Sequence, residues 1–223
     1  MVQEIEVANE RITEAFPPEL RPKPPVRMSF EDFLTSDIEG HAEWFDGEVI
    51  FMTPPNTRHQ QLLMFLSALL RYYAEVHELG TVLPAPFLMR IGANSPGREP
   101  DILFIAREHL DRLTPKMLDG AADLIIEIIS PESRKRDRQQ KLREYEQGGV
   151  REYWLIDPTR NQAAFYRLNT EAIYQLVPLD DGIFRSEVLT GFWLRIEWLW
   201  QDSLPMLISV LREWKLIGSV DVD

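Results

Sequence analysis

Two short apolar segments that each carry a carboxylate constrain this chain more than any other feature. Residues 99–105 include Asp101, and residues 123–129 include Glu127. Their apolar, β-branched composition is typical of short buried strands. A carboxylate inside such a strand is costly to bury unless it is paired, hydrogen-bonded or bound to a metal. If the two strands are neighbours, Asp101 and Glu127 lie side by side and form a site for a hard divalent cation.

Length and composition set the general class of protein. The chain of 223 residues is long enough for a sizeable domain with a buried core. It has no cysteine, so disulfides and thiolate metal sites are excluded, and a metal would use oxygen or imidazole ligands. The apolar runs are too short to span a membrane, and the N-terminal residues lack the pattern of a signal peptide. We therefore expect a cytoplasmic protein without membrane association.

The net charge of −12 argues against a broad basic surface that would bind nucleic acid non-specifically. A local basic segment is present nevertheless. It contains Arg134, Arg136 and Arg138, which we take as candidate nucleic-acid-binding residues. The alternative is that these charges form the solvated face of a helix.

The chain is predicted to divide into an N-terminal arm with a Pro-rich linker, residues 1–27, and a domain over residues 28–223. Prolines interrupt the chain between positions 17 and 25, and the pattern of a folded domain begins after them. Helical and strand-like segments alternate irregularly within residues 28–223. This order predicts an α/β fold with a mixed sheet flanked by helices.

Several local signals predict individual elements. The pair Asp46-Gly47 predicts a hairpin, and helical spacing of leucines predicts a helix from a Thr57 cap to about Val76. Residues 81–91 are predicted to form one strand, with prolines that confine it to an edge or a bulge. A further helix is expected from Ser133 to Gly148.

A lysine on this later helix is a candidate for the same site. Asp137, Lys141 and Tyr145 are spaced by four residues and so share a helical face. If the helix packs on the sheet, Lys141 points at the metal site. There it could orient or help deprotonate a water, or offset negative charge on a phosphate. Glu43, at the start of the predicted hairpin, could reach the same cluster.

Together, these residues and their order resemble a known family. The motifs, in chain order, are Glu43-Trp-Phe-Asp-Gly-Glu, His59-Gln60, Glu99-Pro-Asp-Ile-Leu-Phe, Ile-Ile-Glu127-Ile-Ile-Ser-Pro-Glu-Ser, Asp137…Lys141…Tyr145 and Gly-Val-Arg-Glu-Tyr-Trp-Leu-Ile-Asp157-Pro. This set resembles the Uma-type family of putative restriction endonucleases, within the PD-(D/E)XK nuclease superfamily, over residues 28–200. The resemblance implies a restriction-endonuclease-like fold, a divalent metal (Mg²⁺, with Mn²⁺ as an alternative) and hydrolysis of phosphodiester bonds in DNA.

The resemblance also implies roles for individual residues. By position, Asp101 matches the metal-binding aspartate and Glu127 the second acid, with the carbonyl of Ile128 as a further metal ligand. The superfamily pattern expects a lysine two positions after the second acid, and this chain has Ile129 there. The family resembles a variant in which that lysine has moved to the following helix, where this chain has Lys141.

Three other residues have weaker assignments. Glu43 matches an acid often found on the first helix or strand, where it would tune or complete the metal shell. His59 matches a histidine of the family that has no settled role. Tyr145 is a minor candidate that is also explained as a core residue. Asp101 itself has a simpler alternative, an ion pair with an arginine such as Arg98 or Arg90.

The leading hypothesis is a Mg²⁺-dependent endonuclease that hydrolyses DNA. A second hypothesis is a catalytically degenerate nuclease fold that binds nucleic acid or protein. A third is a metal hydrolase that acts on another phosphoester. A homodimer is expected because cleavage of both strands of a duplex needs two sites, which twofold symmetry supplies.

Overall fold

The computed structural model describes residues 26–38, 41–52, 54–131 and 133–218. Most of the predicted N-terminal arm, residues 1–25, lies outside these ranges. Its last two residues, Val26 and Arg27, form a short strand that pairs with another strand of the fold. The predicted arm therefore contributes at least these two residues to the fold.

Strands and helices alternate along the described part of the chain. The strands are β1 Val26–Arg27, β2 Ala42–Phe45, β3 Glu48–Phe51, β4 Gly80–Pro84, β5 Leu88–Arg90, β6 Gly97–Arg98, β7 Ile102–Ala106, β8 Met117–Asp119, β9 Leu124–Ile128, β10 Glu152–Asp157, β11 Gln162–Leu168, β12 Tyr174–Leu176, β13 Ile183–Arg185 and β14 Trp193–Arg195. The α-helices are α1 Phe30–Thr35, α2 Thr57–Val76, α3 Leu142–Gln147 and α4 Leu207–Glu213. A π-helix spans Arg136–Lys141, and 3₁₀-helices span Arg107–Arg112 and Ile196–Trp200.

The central sheet has the strand order β12-β11-β10-β9-β7-β4. Strand β9 pairs in parallel with β10 and antiparallel with β7, so the sheet is mixed, as predicted. Every residue of β7 and β9 is buried, in agreement with their continuous apolar sequences. The two acid-bearing segments are therefore neighbours in the middle of the sheet.

A second sheet has the strand order β1-β3-β2-β6-β5-β8. The predicted hairpin at Asp46-Gly47 is confirmed and joins β2 to β3. Both turn residues have positive φ angles, 48° and 81°, as this two-residue turn requires. The hairpin carries Glu43 toward the central sheet.

The single strand predicted for residues 81–91 is wrong in one respect. The chain forms β4 in the central sheet and then β5 in the second sheet. Pro84 and Pro86 have no backbone N–H to donate, so a regular series of strand hydrogen bonds cannot continue through these positions. The segment therefore passes from one sheet to the other instead of remaining in one.

Helix α2 confirms the predicted helix over residues 57–76, although its N-cap is Asn56 and not Thr57. The Asn56 side chain accepts a hydrogen bond from the backbone N–H of His59. Leucines of α2 pack with Leu124, Ile126 and other residues on one face of the central sheet. None of the helices in the described ranges is long and apolar enough to cross a membrane.

The other face of the central sheet carries a separate apolar cluster. It includes Ile125, Ile129, Tyr145 and Tyr153. Alternation along β9 places Glu127 on the same side as Ile125 and Ile129. The π-helix and α3 pack on this side, so Glu127 faces the helix that carries Lys141.

Candidate active site

Asp101 and Glu127 meet at one end of the pair β7–β9. In this antiparallel pair Ile102 lies opposite Ile126, so the preceding Asp101 comes opposite Glu127. The Asp101 Oδ2 atom accepts a hydrogen bond of 2.6 Å from the backbone N–H of Ile128. Asp101 is thus held beside the strand that carries the second acid, and no arginine pairs with it among the described residues.

Lys141 reaches the same point from the π-helix. Its Nζ atom lies 2.7 Å from Glu127 Oε1 and 2.8 Å from Glu43 Oε1. Burial alone would lower the pKa of Lys141, but the charges of Glu127 and Glu43 outweigh it and raise the pKa well above its ordinary value. The lysine therefore holds a fixed positive charge inside a cluster of acids.

The π-helix has a consequence for which side chains face the cluster. Its hydrogen bonds run between residues five apart, a wide turn that is rare and frequent at functional sites. Arg136 and Lys141 are the first and last residues of this turn. The wide turn brings both of them, together with Asp137, to the side of the acids. The sequence prediction of an ordinary helix did not include Arg136 on this face.

Glu43 is completely buried behind Lys141. Its Oε2 atom accepts a hydrogen bond of 2.9 Å from Arg98 Nη1, and its Oε1 atom pairs with Lys141. Burial raises the pKa of Glu43, but the charges of Lys141 and Arg98 outweigh this effect and lower the pKa to about 2. In this arrangement Glu43 supports the lysine, whereas the sequence analysis placed it in the metal shell.

Arg98 joins this cluster to helix α3. Besides Glu43, its guanidinium binds both carboxylate oxygens of Glu144, at 2.9 and 2.7 Å. The Arg98 side chain is only 2% exposed. Sequence reasoning considered Arg98 as a partner of Asp101 and did not find this role or that of Glu144. A buried acid such as Glu43 is expected to have a cationic partner, but the sequence of the chain does not indicate which arginine is that partner.

His59 contacts Asp101 from the first turn of α2. Its Nε2 atom lies 3.2 Å from Asp101 Oδ1. Burial alone would lower the pKa of His59, but the hydrogen bond with Asp101 and its negative charge outweigh burial and raise the pKa. The imidazole also interacts with the carbonyl of Ile128. His59 therefore lies beside two of the three groups that the sequence analysis assigned to a metal, the Asp101 carboxylate and the Ile128 carbonyl.

Tyr145 supports Glu127 from helix α3. Its hydroxyl donates a hydrogen bond of 2.9 Å to Glu127 Oε1, the oxygen that also accepts from Lys141. Burial raises the pKa of Glu127 to about 8. The charges of Asp137 and Asp101 add to this rise, whereas the charge of Lys141 opposes it. Burial and the neighbouring acids therefore favour the protonated form of Glu127 when no cation other than Lys141 is close to it.

The side chains of the three arginines predicted to contact nucleic acid do not point toward the same part of the protein. Arg134 and Arg138 both bind the buried carboxylate of Asp157, at 3.1 and 3.3 Å. Arg136 turns toward the acids instead, with its Nε atom 3.9 Å from Glu43 Oε2. All three side chains keep part of their surface in solvent, between 21% and 33%.

A cavity of about 250 Å³ lies where these elements meet. Its walls include His59, Asp101, Glu127, Arg136, Asp137 and Lys141. Glu99 also lines it, and burial raises the pKa of Glu99 to about 7, with the charge of Glu43 adding to the effect. Carboxyl groups in the cavity wall therefore outnumber its lysine and arginine side chains.

The donor atoms at this cavity fit a hard divalent cation. Within the described ranges, no group of three or more histidine, aspartate or glutamate side chains is set closely enough to hold a metal ion. Asp101 and Glu127 offer two carboxylates, and the Ile128 carbonyl adds a third oxygen. Mg²⁺ commonly binds through one or two carboxylates and keeps several waters. The oxygen donors of this cavity suit such an ion.

The chain is similar to a solved structure with the same fold. The crystal structure of a putative nuclease belonging to DUF820, from Anabaena variabilis ATCC 29413, matches with a TM-score of 0.63 and 18% sequence identity. The match covers 77% of this chain and 97% of that chain. The predicted fold class, a restriction-endonuclease-like mixed sheet flanked by helices, is confirmed. None of the curated proteins matches this chain.

A family match completes the comparison. The Uma2 family, described as putative restriction endonuclease, matches residues 30–197. This range includes every catalytic and metal-binding candidate from Glu43 to Tyr145. It also covers well over half of the 223 residues. The protein therefore belongs to the Uma2 family of putative restriction endonucleases.

Proposed function

We propose that the protein is a divalent-metal-dependent endonuclease that hydrolyses phosphodiester bonds of DNA. The observation that carries this proposal is the contact of Lys141 with Glu127, at 2.7 Å, beside Asp101. Asp101 directly precedes β7, Glu127 lies in the neighbouring β9, and the lysine comes from the π-helix that follows β9 in the chain. Family membership supports the same activity.

The proposal gives each residue a defined task. Asp101, Glu127 and the Ile128 carbonyl would hold Mg²⁺ or Mn²⁺. When bound, such an ion stabilises negative charge on a phosphate and lowers the pKa of water. Lys141 adds a fixed positive charge beside the phosphate, at a site with little water to screen it.

Other residues position those groups. Glu43 holds Lys141 from behind, and Tyr145 orients the shared oxygen of Glu127. His59 holds Asp101 through its Nε2 atom. These contacts fix the acids and the lysine in one geometry, which is a general requirement of a catalytic site.

DNA would reach the site through a few local cations. Arg136 borders the cavity, and the exposed parts of Arg134 and Arg138 lie in the same chain segment. For a protein of net charge −12, such contacts would depend steeply on salt because they release counterions from the DNA. We also propose a homodimer, which would supply one site for each strand. Light scattering at micromolar concentration tests it, and a monomer mass would reject it.

Cleavage of supercoiled plasmid tests the proposed activity. We expect nicked and linear products with Mg²⁺ or Mn²⁺ and none with chelator. Asp101→Asn and Lys141→Met should lose cleavage, whereas the exposed-site controls Asp111→Asn and Lys116→Met should keep it. An intact plasmid with native protein and either metal would contradict the proposal, as would full cleavage by Asp101→Asn.

A second candidate is a nuclease fold that binds nucleic acid or protein without cleaving. The observation that favours it is that Glu127 and Asp101 already have partners within the protein: Lys141 and Tyr145 for the first, His59 and the Ile128 N–H for the second. Retarded DNA migration without cleavage in either metal would support this candidate. Hydrolysis of a small phosphodiester but not of plasmid would favour the third hypothesis, a hydrolase of another phosphoester.

A further inference from the structure

Among the described residues, two of the buried π-helix atoms that have no hydrogen-bond partner belong to residues lining the candidate active site. They are Arg136 Nε, a donor, and Asp137 Oδ1, an acceptor. The two atoms lie 4.0 Å apart, and Lys141 Nζ lies 3.8 Å from the same Asp137 oxygen. All three residues line the cavity of the candidate active site. Each gap is too long for a direct hydrogen bond.

These gaps have the size and polarity that bind one water molecule. A buried polar atom without a partner is costly, and a polar contact longer than about 3.5 Å is commonly bridged by water. A water about 2.8 Å from two atoms that are 4.0 Å apart makes an angle of about 90° with them. This angle is close enough to tetrahedral for two good hydrogen bonds.

Lys141 can supply a third partner. Its ammonium group has three donor protons. One is donated to Glu127 Oε1 at 2.7 Å, and Glu43 Oε1 lies 2.8 Å from Nζ as an ion-pair partner. A further proton remains for a water beside Asp137. A water there would accept from Arg136 and Lys141 and donate to Asp137, which is the usual number of partners for a buried water.

We propose that Asp137, Arg136 and Lys141 bind the water that attacks the phosphodiester, with Asp137 as its proton acceptor. This inference rests on the proposed nuclease function and adds catalytic residues to it. An ammonium group has no lone pair and cannot accept the proton, whereas the free oxygen of Asp137 can. The neighbours of Asp137 hold it in place: Tyr153 donates to its carbonyl, and its N–H donates to the Ser133 carbonyl.

The chemical step is a balanced hydrolysis. The water oxygen forms a bond to phosphorus, and one water proton moves to Asp137 Oδ1. The bond from phosphorus to the leaving ester oxygen breaks, and that oxygen takes a proton from solvent. Arg136 and Lys141, both positive, stabilise the charge that develops on the phosphate oxygens.

Asp137→Asn tests the inference, with cleavage rate and Mn²⁺ affinity measured on the same protein. We expect the rate at saturating DNA and metal to fall by about 100-fold or more, while the Kd for Mn²⁺ stays within about threefold. Arg136→Gln should lower the rate in the same way by a smaller factor. Arg71→Gln and Asp111→Asn, which change an exposed arginine and an exposed aspartate away from the cavity, should cleave at the native rate.

Three outcomes would overturn the inference. Cleavage by Asp137→Asn within about threefold of native would remove Asp137 from the reaction. A loss of Mn²⁺ affinity as large as that of Asp101→Asn would make Asp137 a metal ligand instead. Inactive native protein without Mn²⁺ binding would overturn both this inference and the proposed function, whereas the first two outcomes leave the proposed function intact.

Crystallography keeps the inference testable if Asp137→Asn does not fold. A high-resolution structure of the native protein should show a water within hydrogen-bond distance of both Arg136 Nε and Asp137 Oδ1. Direct contact between these two side chains, or no density between them, would overturn the inference.

Discussion

Asp101→Ala separates a metal-binding role of Asp101 from a structural one. Repulsion among the clustered acids alone would make this change neutral or slightly stabilising without metal. The structure adds an opposing effect, because alanine leaves the buried N–H of Ile128 without its 2.6 Å acceptor. An unsatisfied buried donor costs about 1–3 kcal/mol. We therefore expect a net loss of about 1–2 kcal/mol in chelator, whereas Asp101→Asn keeps an acceptor and should stay close to native.

The response to metal should differ more clearly between the variants. A ligand at 100 times its Kd stabilises the folded state by about 2.7 kcal/mol. For a chain of this size that corresponds to a rise in Tm of about 5–11 °C. Native protein should show this rise with Mn²⁺ or Mg²⁺, and both Asp101 variants should show little of it.

Thermal unfolding with chelator and with metal measures both effects, and Asp111→Ala is the control. The control should match native protein in both conditions because Asp111 is exposed. A native Tm that does not respond to metal would refute the metal site. A full metal response of Asp101→Asn would refute the assignment of Asp101 as a ligand.

Three further predictions address the surrounding charges. Arg98→Met should lower the free energy of unfolding by about 3–5 kcal/mol, because it leaves Glu43 buried without one of its cations; a loss below about 1 kcal/mol in urea unfolding would contradict this. Burial raises the pKa of Asp157, but hydrogen bonds from Arg134 and Arg138 outweigh burial and lower the pKa below its ordinary value of 3.8. The stabilisation that Asp157 gives the folded state is present above its unfolded pKa and is lost as the pH falls through its folded pKa. Asp157→Asn should therefore lower the free energy of unfolding at neutral pH and lower it less in acid. An equal loss of stability at both pH values would refute this prediction. Arg134→Gln and Arg138→Gln should each weaken DNA binding and reduce the slope of log affinity against log salt by about one; unchanged slopes would exclude these arginines as phosphate contacts.

Much of the fold could be predicted because its signals are local. Continuous apolar segments predicted the two buried strands, of which β9 contains Glu127 and β7 begins directly after Asp101. The pair Asp46-Gly47 predicted the hairpin, since few residues accept the positive φ angles of that turn. The spacing of leucines predicted the long helix because one face of a helix repeats every three to four residues.

Local signals did not predict how the chain is shared between two sheets. The segment 81–91 was predicted as one strand, although its prolines indicated an edge or a bulge. Which sheet each half joins depends on remote strands, β7 for the first half and β6 and β8 for the second. No periodicity within the segment encodes those partners.

By itself, the sequence determined that this chain has two acids in buried, strand-forming segments and a lysine on the helix that follows the second segment. It did so because burial, turn geometry and helical spacing act over a few residues. Only the tertiary structure decided the partners: Arg98 and Glu144 behind Glu43, His59 against Asp101, and Asp157 with two of the arginines. Ion pairs join groups that are far apart in the chain, and a charged side chain has the same sequence signature whichever partner it meets.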